Sequence, residues 1–232
     1  MSRLPIGIGA TGLIAVVVGL AAFLYNSGTI HSSSALMIVL GVLGGTLVAL
    51  SSLLLVRAPW GRWALTGAIV TSALLASISD SLIFLVSLVL AAVAIVGLWG
   101  PWLTLWLRQA PNTEGLGWGP VVLLTSVFWM PIVVAAGSHE GLVVAHWLLV
   151  ILVVLVGWAY GRGLAFGLWG FRVALPIAAL ITMTFSTVVG AVSVGLGAGV
   201  VTAVAWNRRA RQATAVITPP LRPPVARSGG TV

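Results

Sequence analysis

The chain has 232 residues, of which 60% are hydrophobic and only 6% charged, with 28 glycines and a formal net charge of +8. Soluble domains carry about 25% charged residues, and a disordered chain needs low hydrophobicity, so both classes are excluded. Cysteine is absent, which removes disulfides, thiolate nucleophiles and cysteine-held metal or iron–sulfur sites. All eleven cationic residues are arginine; without lysine no Schiff base can form, and retinal and pyridoxal chemistry are excluded with it.

A membrane-crossing helix needs about 20 apolar residues, within a range of roughly 17–25. In chain order, unbroken apolar runs predict spans over 6–25, 35–56, 63–79, 81–107, 119–136 and 141–160. The first is longer than the roughly 7–15-residue core of a secretory signal and reads as an uncleaved span. Gly100 and Pro101 interrupt the last turns of the fourth. These segments are expected to be helices because an isolated strand leaves its backbone groups unsatisfied in lipid. The 34 residues from Val173 to Trp206 carry no charge. As a single helix they would extend about 51 Å at 1.5 Å per residue, far beyond the roughly 30 Å of hydrocarbon. Division into 173–189 and 191–206, with a turn near Gly190, fits better. The expected fold is therefore an all-α polytopic integral membrane bundle of about eight transmembrane helices in four hairpins, followed by a basic, Pro-rich, disordered tail over 207–232.

Arginine placement tests that count. With the first residue inside, the inner segments hold Arg3, Arg57, Arg62, Arg108, Arg162, Arg172, Arg208, Arg209, Arg211, Arg222 and Arg227, and the outer turns hold none. Positive charge is retained on the cytoplasmic side of membranes, so an even number of crossings in the cell membrane follows, with both termini cytoplasmic. An odd count would place the five tail arginines outside. In a soluble protein such a charge would point to nucleic acid; here topology accounts for it, and no nucleic-acid partner is expected.

Lipid supplies little hydrophobic drive between helices, so small residues mark close contacts. Gly41 and Gly45, then Ala68, Ser72 and Ala76, then Ala191, Gly195 and Gly199 form such stripes. They read as packing within one chain, with a homo-oligomer or other subunits of a membrane complex as the sharper alternative. Nine of the eleven tryptophans fall near the predicted inner boundary, where an indole keeps its ring in lipid and its N–H in the headgroup layer. Of the other two, Trp129 lies mid-span beside Pro131 and is expected to line an internal surface.

No predicted span has an ionisable residue near its centre, against the usual mark of a proton or ion pathway. A path for neutral solutes could use hydroxyls: Thr182 and Ser186 share a face one turn apart, with Thr125 and Trp129 at comparable depth. The competing reading is that these hydroxyls bond their own helix carbonyls. His31, Asp80, His139, Glu140 and His146 all fall at the outer helix ends. Such a rim could hold a divalent metal or accept protons, although short outer turns need polar residues in any case. His139 and His146 are not a zincin pair, because that motif sets its histidines one turn apart. Seven residues instead separate their backbones by about 10.5 Å. No cofactor is expected. The functional expectation is a permease-like protein or a non-catalytic membrane subunit in contact with the bilayer. The alternatives are an enzyme with an outward-facing His/Asp/Glu site, or a purely structural, stress-protective protein.

Overall fold

The computed structural model describes residues 3–26, 33–78, 81–107, 118–138 and 143–217. In chain order the helices are α1 (Arg3–Asn26), α2 (Ser33–Val56), α3 (Pro59–Ala76), α4 (Ser81–Trp99), α5 (Pro101–Leu107), α6 (Gly119–Gly137), α7 (Val144–Gly161), α8 (Ala165–Trp169), α9 (Leu175–Met183), α10 (Val188–Ala205) and α11 (Arg208–Ile217). A π-turn at Gly170–Ala174 joins α8 to α9. Among the described residues, seven helical stretches are long and apolar enough to cross a membrane: Leu4–Tyr25, Ser33–Val56, Leu82–Trp99, Gly119–Gly137, Val144–Gly161, Ala165–Met183 and Val188–Ala205. The protein is an all-α, multi-pass membrane bundle. α3, at 18 residues, is a further long rod but less apolar than its neighbours, with Arg62 and Trp63 near its start.

Glycine sets where the helices approach most closely. α2 runs through the middle, packed on α3, α6 and α7. Gly41 lies against the Pro131 ring of α6, and Gly45 lies against Phe128 on the same helix. A Cβ on Gly19 of α1 would come within 2.8 Å of the Ser72 carbonyl oxygen of α3. Two of the small-residue stripes thus serve packing inside the chain. α6, α7, α9 and α10 close into a ring, each touching the next, while α4 packs on α1 and α3.

Connections are short at one end of the bundle. α2 and α3 are joined through Arg57, whose φ of 56° is left-handed, and Ala58, whose extended backbone leads into Pro59 at the first helical position. A proline there costs nothing, because the first helical N–H has no partner anyway. α4 gives way to α5 at Gly100, and the Trp102 indole folds back to donate to the Gly97 carbonyl at 2.9 Å. α5 forms the last turns of the expected 81–107 span, beyond the interruption expected at Gly100 and Pro101.

Three expectations about the C-terminal third require correction. The seventh span starts at Ala165, not Val173, because Arg162 and Gly163 (φ 76°) complete the turn after α7. Arg172 therefore lies inside a helical span rather than in a connector. Pro176 lacks the N–H that would bond the Arg172 carbonyl, and the backbone widens there: Leu175 N–H reaches back to the Gly170 carbonyl. The turn between the last two spans is at Thr184–Thr187, whereas Gly190 belongs to α10. Finally, the tail does not become irregular at 207. Asn207 Oδ1 accepts from the Arg209 N–H at 3.1 Å and caps α11, supplying a partner for a donor that a helix start otherwise leaves unsatisfied. Ala210, Ala213 and Thr214 are buried while Arg208, Arg209 and Arg211 are exposed, so α11 is an amphipathic helix lying on the bundle. The Tyr160 hydroxyl fastens it by donating to the Ala210 carbonyl at 3.1 Å.

Candidate functional site

At the end of the bundle away from α11, the ends of α6, α7, α9 and α10 are tied together by a small polar cluster. His146, in the first turn of α7, is only 1% exposed. Its Nδ1 accepts from the Val143 N–H at 3.2 Å, so the side chain caps its own helix. Its Nε2 lies 3.2 Å from Ser186 Oγ in the turn after α9. Ser186 Oγ donates to the Thr182 carbonyl at 2.9 Å, and Thr182 Oγ1 donates to the Ala178 carbonyl at 2.8 Å. Beside this chain, Thr187 Oγ1 donates to the Gly137 carbonyl at 3.0 Å and accepts from the Gly190 N–H at 3.2 Å. The backbones of Gly137 and Gly190 touch, leaving no room for a Cβ on either.

The hydrogen-bond pattern assigns the protons. Because Nδ1 receives a backbone N–H, the neutral imidazole carries its hydrogen on Nε2 and donates to Ser186. Ser186 then directs its own hydrogen at a carbonyl. That polarity is opposite to a nucleophile–base pair, in which the imidazole takes the hydroxyl proton. The cluster as arranged fastens helices and does not activate a serine.

Of the expected rim, His31, Asp80, His139 and Glu140 lie outside the described residues. His146 is described, and it is buried among helices. Among the described residues no three His, Cys, Asp or Glu side chains could together hold a metal ion. The four expected path residues divide between two places. Thr182 and Ser186 share the His146 cluster, Thr182 also lying 3.4 Å from the Ala145 carbonyl. Thr125 Oγ1 is bonded to its own helix at Val122 O, 3.1 Å away. Trp129 is half-buried against α10, where a Cβ on Gly197 would lie 2.9 Å from its ring.

The opposite end carries the arginines. The Arg62 guanidinium lies 4.1 Å from the Trp99 ring centroid, and its Nη1 donates to Thr104 Oγ1 at 3.1 Å. Trp63 meets Trp99 and Trp118 edge to face at 4.3 and 4.9 Å. Arg57 lies 5.0 Å from the Trp106 centroid and Arg162 5.4 Å from Trp158. The Arg172 guanidinium lies 4.8 Å from the Trp206 centroid and 5.4 Å from that of Trp169, beside two rings that meet each other edge to face at 6.2 Å, and its Nε donates to the Ala205 carbonyl at 2.9 Å. Among the described residues the partners of these arginines are rings, the Ala205 carbonyl and the Thr104 hydroxyl. Interfacial anchoring therefore accounts for only part of the tryptophan set. The pairing with arginine across helices was missed, although each arginine's proximity to a tryptophan in sequence was a usable signal.

Three cavities open between neighbouring helices on the outer surface. One of about 530 Å³ lies between α2 and α7 and reaches Trp158. One of about 400 Å³ lies between α9 and α10 and reaches Trp206. One of about 480 Å³ lies between α1 and α4 and reaches Trp102. All are lined almost wholly by apolar side chains and backbone. Comparison with protein-family profiles, with curated proteins and with solved structures finds no match to this chain.

Proposed function

We propose that the chain is a non-catalytic membrane subunit that crosses the cell membrane eight times, α3 included, with both termini cytoplasmic, and that works through its lipid- and helix-facing surfaces. The observation that carries this reading is the use made of the polar groups inside the bundle. Thr182, Ser186, Thr187 and His146 are bonded to carbonyls or to one another, so these four are engaged in fastening helices rather than facing a solute. The surface supports the same reading: the cavities described lie between helices on the outside, and the outward faces of α4, α9 and α10 are rich in exposed Leu, Ile and Val. The test is extraction of the full chain into native-lipid nanodiscs, followed by size and mass analysis. A stoichiometric complex with at least one other membrane chain is the expected result; a solitary chain would overturn the proposal.

A permease-like protein is the second reading, favoured by the buried His146–Ser186 link. An ionisable side chain within a span is costly and is often functional. Swelling of proteoliposomes in glycerol, urea and small sugars separates the two. Flux that depends on the protein and changes in Ser186→Ala would select the permease; flux equal to that of empty vesicles supports the subunit.

A further inference from the structure

The groove between α9 and α10 differs from the other two in how its end is built. Its walls are Pro176, Leu180 and Met183 on one helix and Gly195, Gly199 and Ala203 on the other, all apolar. Gly195 and Gly199 do not serve close helix packing as Gly41 and Gly45 do. A Cβ on Gly199 would meet nothing within 4 Å, and one on Gly195 would meet only the end of Met183. The missing side chains make a trough. From Gly195 to Trp206 it runs about 16 Å at 1.5 Å per residue, roughly half the hydrocarbon thickness of about 30 Å. The trough is therefore about one leaflet deep.

At the end of the trough, Trp206 both lines it and stacks near the Arg172 guanidinium. The π-turn puts Arg172 there. Widening the backbone at Gly170–Ala174 turns Phe171 and Arg172 toward α10, where Thr202 Oγ1 donates to the Phe171 carbonyl at 3.3 Å and Arg172 Nε donates to the Ala205 carbonyl. Single π-turns inside helices are frequent at functional sites. Among the described residues the hydrogen bond of Arg172 is made by Nε, leaving the Nη groups, which are the fork that pairs with phosphate oxygens.

We infer that this groove binds one anionic phospholipid of the inner leaflet, an acyl chain lying in the trough and the headgroup phosphate on Arg172. Charge and depth favour the lipid over a second copy of the chain as occupant, since the lipid brings Arg172 an anion together with an apolar tail of matching depth. The anionic inner leaflet is also where arginine gains most from the membrane.

Native mass spectrometry of the full chain in detergent tests the inference, with phosphatidylglycerol and phosphatidylcholine of identical acyl chains as probes. The wild type is expected to retain one phosphatidylglycerol in preference to phosphatidylcholine, and millimolar inorganic phosphate is expected not to displace it. R172Q keeps an N–H for the Ala205 carbonyl but loses the charge; it is expected to weaken phosphatidylglycerol binding by at least about fivefold, the worth of one cation at an anionic surface, with phosphatidylcholine unchanged. G199L fills the trough and is expected to weaken both lipids. R209Q, on the exposed face of α11, is expected to leave the headgroup preference of the retained lipid intact. Unchanged preference in R172Q would overturn the inference, as would displacement by phosphate alone. Should G199L leave lipid retention unchanged but convert a dimer to a monomer, the groove would be a homo-oligomer interface and the lipid assignment would fall. If R172Q fails to fold, G199L still decides, because position 199 has open space around it.

Discussion

His146 illustrates how much one side chain can do at the edge of a membrane. It satisfies the Val143 N–H at the start of its own helix and reaches Ser186 on another. Its replacement takes a partner from each, the Val143 N–H losing its side-chain acceptor while Ser186 keeps its bond to the Thr182 carbonyl. In H146L the loss is expected to be about 1–3 kcal/mol, measured by denaturation in mixed micelles. Cross-helix hydrogen bonds in membranes contribute about 0.6 kcal/mol on average and up to about 1.7. S186A is therefore expected to cost less than H146L, and the double variant to cost less than the sum. Full additivity would mean that the two side chains do not act together. The glycines divide at the same scale. G190A must push against the Gly137 backbone and is expected to lose about 1–3 kcal/mol, as overpacked sites do. G199A faces open space and is expected to be neutral or slightly stabilising, since alanine orders the unfolded chain more than glycine. Equal effects from the two would contradict the packing described.

Helix pairs carry information that no single residue holds. α6 and α7 meet where Gly157 accepts a Val127 methyl group, and a Cβ on Gly157 would strike Val127 Cγ2 while its distance to Val127 Cβ would be an ordinary 3.7 Å. G157A is accordingly expected to destabilise the bundle by about 1–3 kcal/mol, and V127A to recover most of that loss in the double variant. Compensation of this kind, read from melting curves of the four proteins, requires the two helices to be in contact at that level; two simply additive losses would refute it. Element boundaries were legible in the sequence where a proline marked them at Gly100–Pro101 and Gly119–Pro120, whereas α3 begins at Pro59, four residues before the expected start at Trp63. They were not legible over 161–190. There the chain turns at Arg162–Gly163 and again at Thr184–Thr187, while the more conspicuous Arg172 and Gly190 sit inside helices. Apolarity locates a span to within a few residues. Which glycine turns and which one packs depends on the helix opposite.

Across the whole molecule, the arginine-rich end is one surface built from distant parts of the chain. Arg62 meets Thr104, Arg172 meets Ala205, and Tyr160 holds Ala210. Residues near the chain start join the same end, since Leu4, Gly7 and Ile8 share a groove with Gly97 and Trp102. An even number of crossings is the reading that keeps every arginine there. The chain contains no cysteine, so single introduced cysteines can report on it without background. S77C, after α3, and Q212C, on α11, are both at exposed positions. In oriented vesicles, a membrane-impermeant maleimide is expected to reach one of them from each side only. Labelling of both from the same side would refute eight crossings.

The sequence by itself determined the class, an all-α bundle with apolar helices long enough to cross a membrane. That follows from the cost of placing polar groups in hydrocarbon, a cost paid residue by residue along the chain. It also placed Thr182 and Ser186 on one helical face and His146 at a helix end, but it held no sign that the imidazole would meet Ser186. Only the tertiary structure decided that meeting, the contact of Gly137 with Gly190, and the seat of Arg172 beside two indoles. These depend on which helices become neighbours, and in lipid that choice rests on shape fit between side chains far apart in sequence, because apolar faces are nearly interchangeable there.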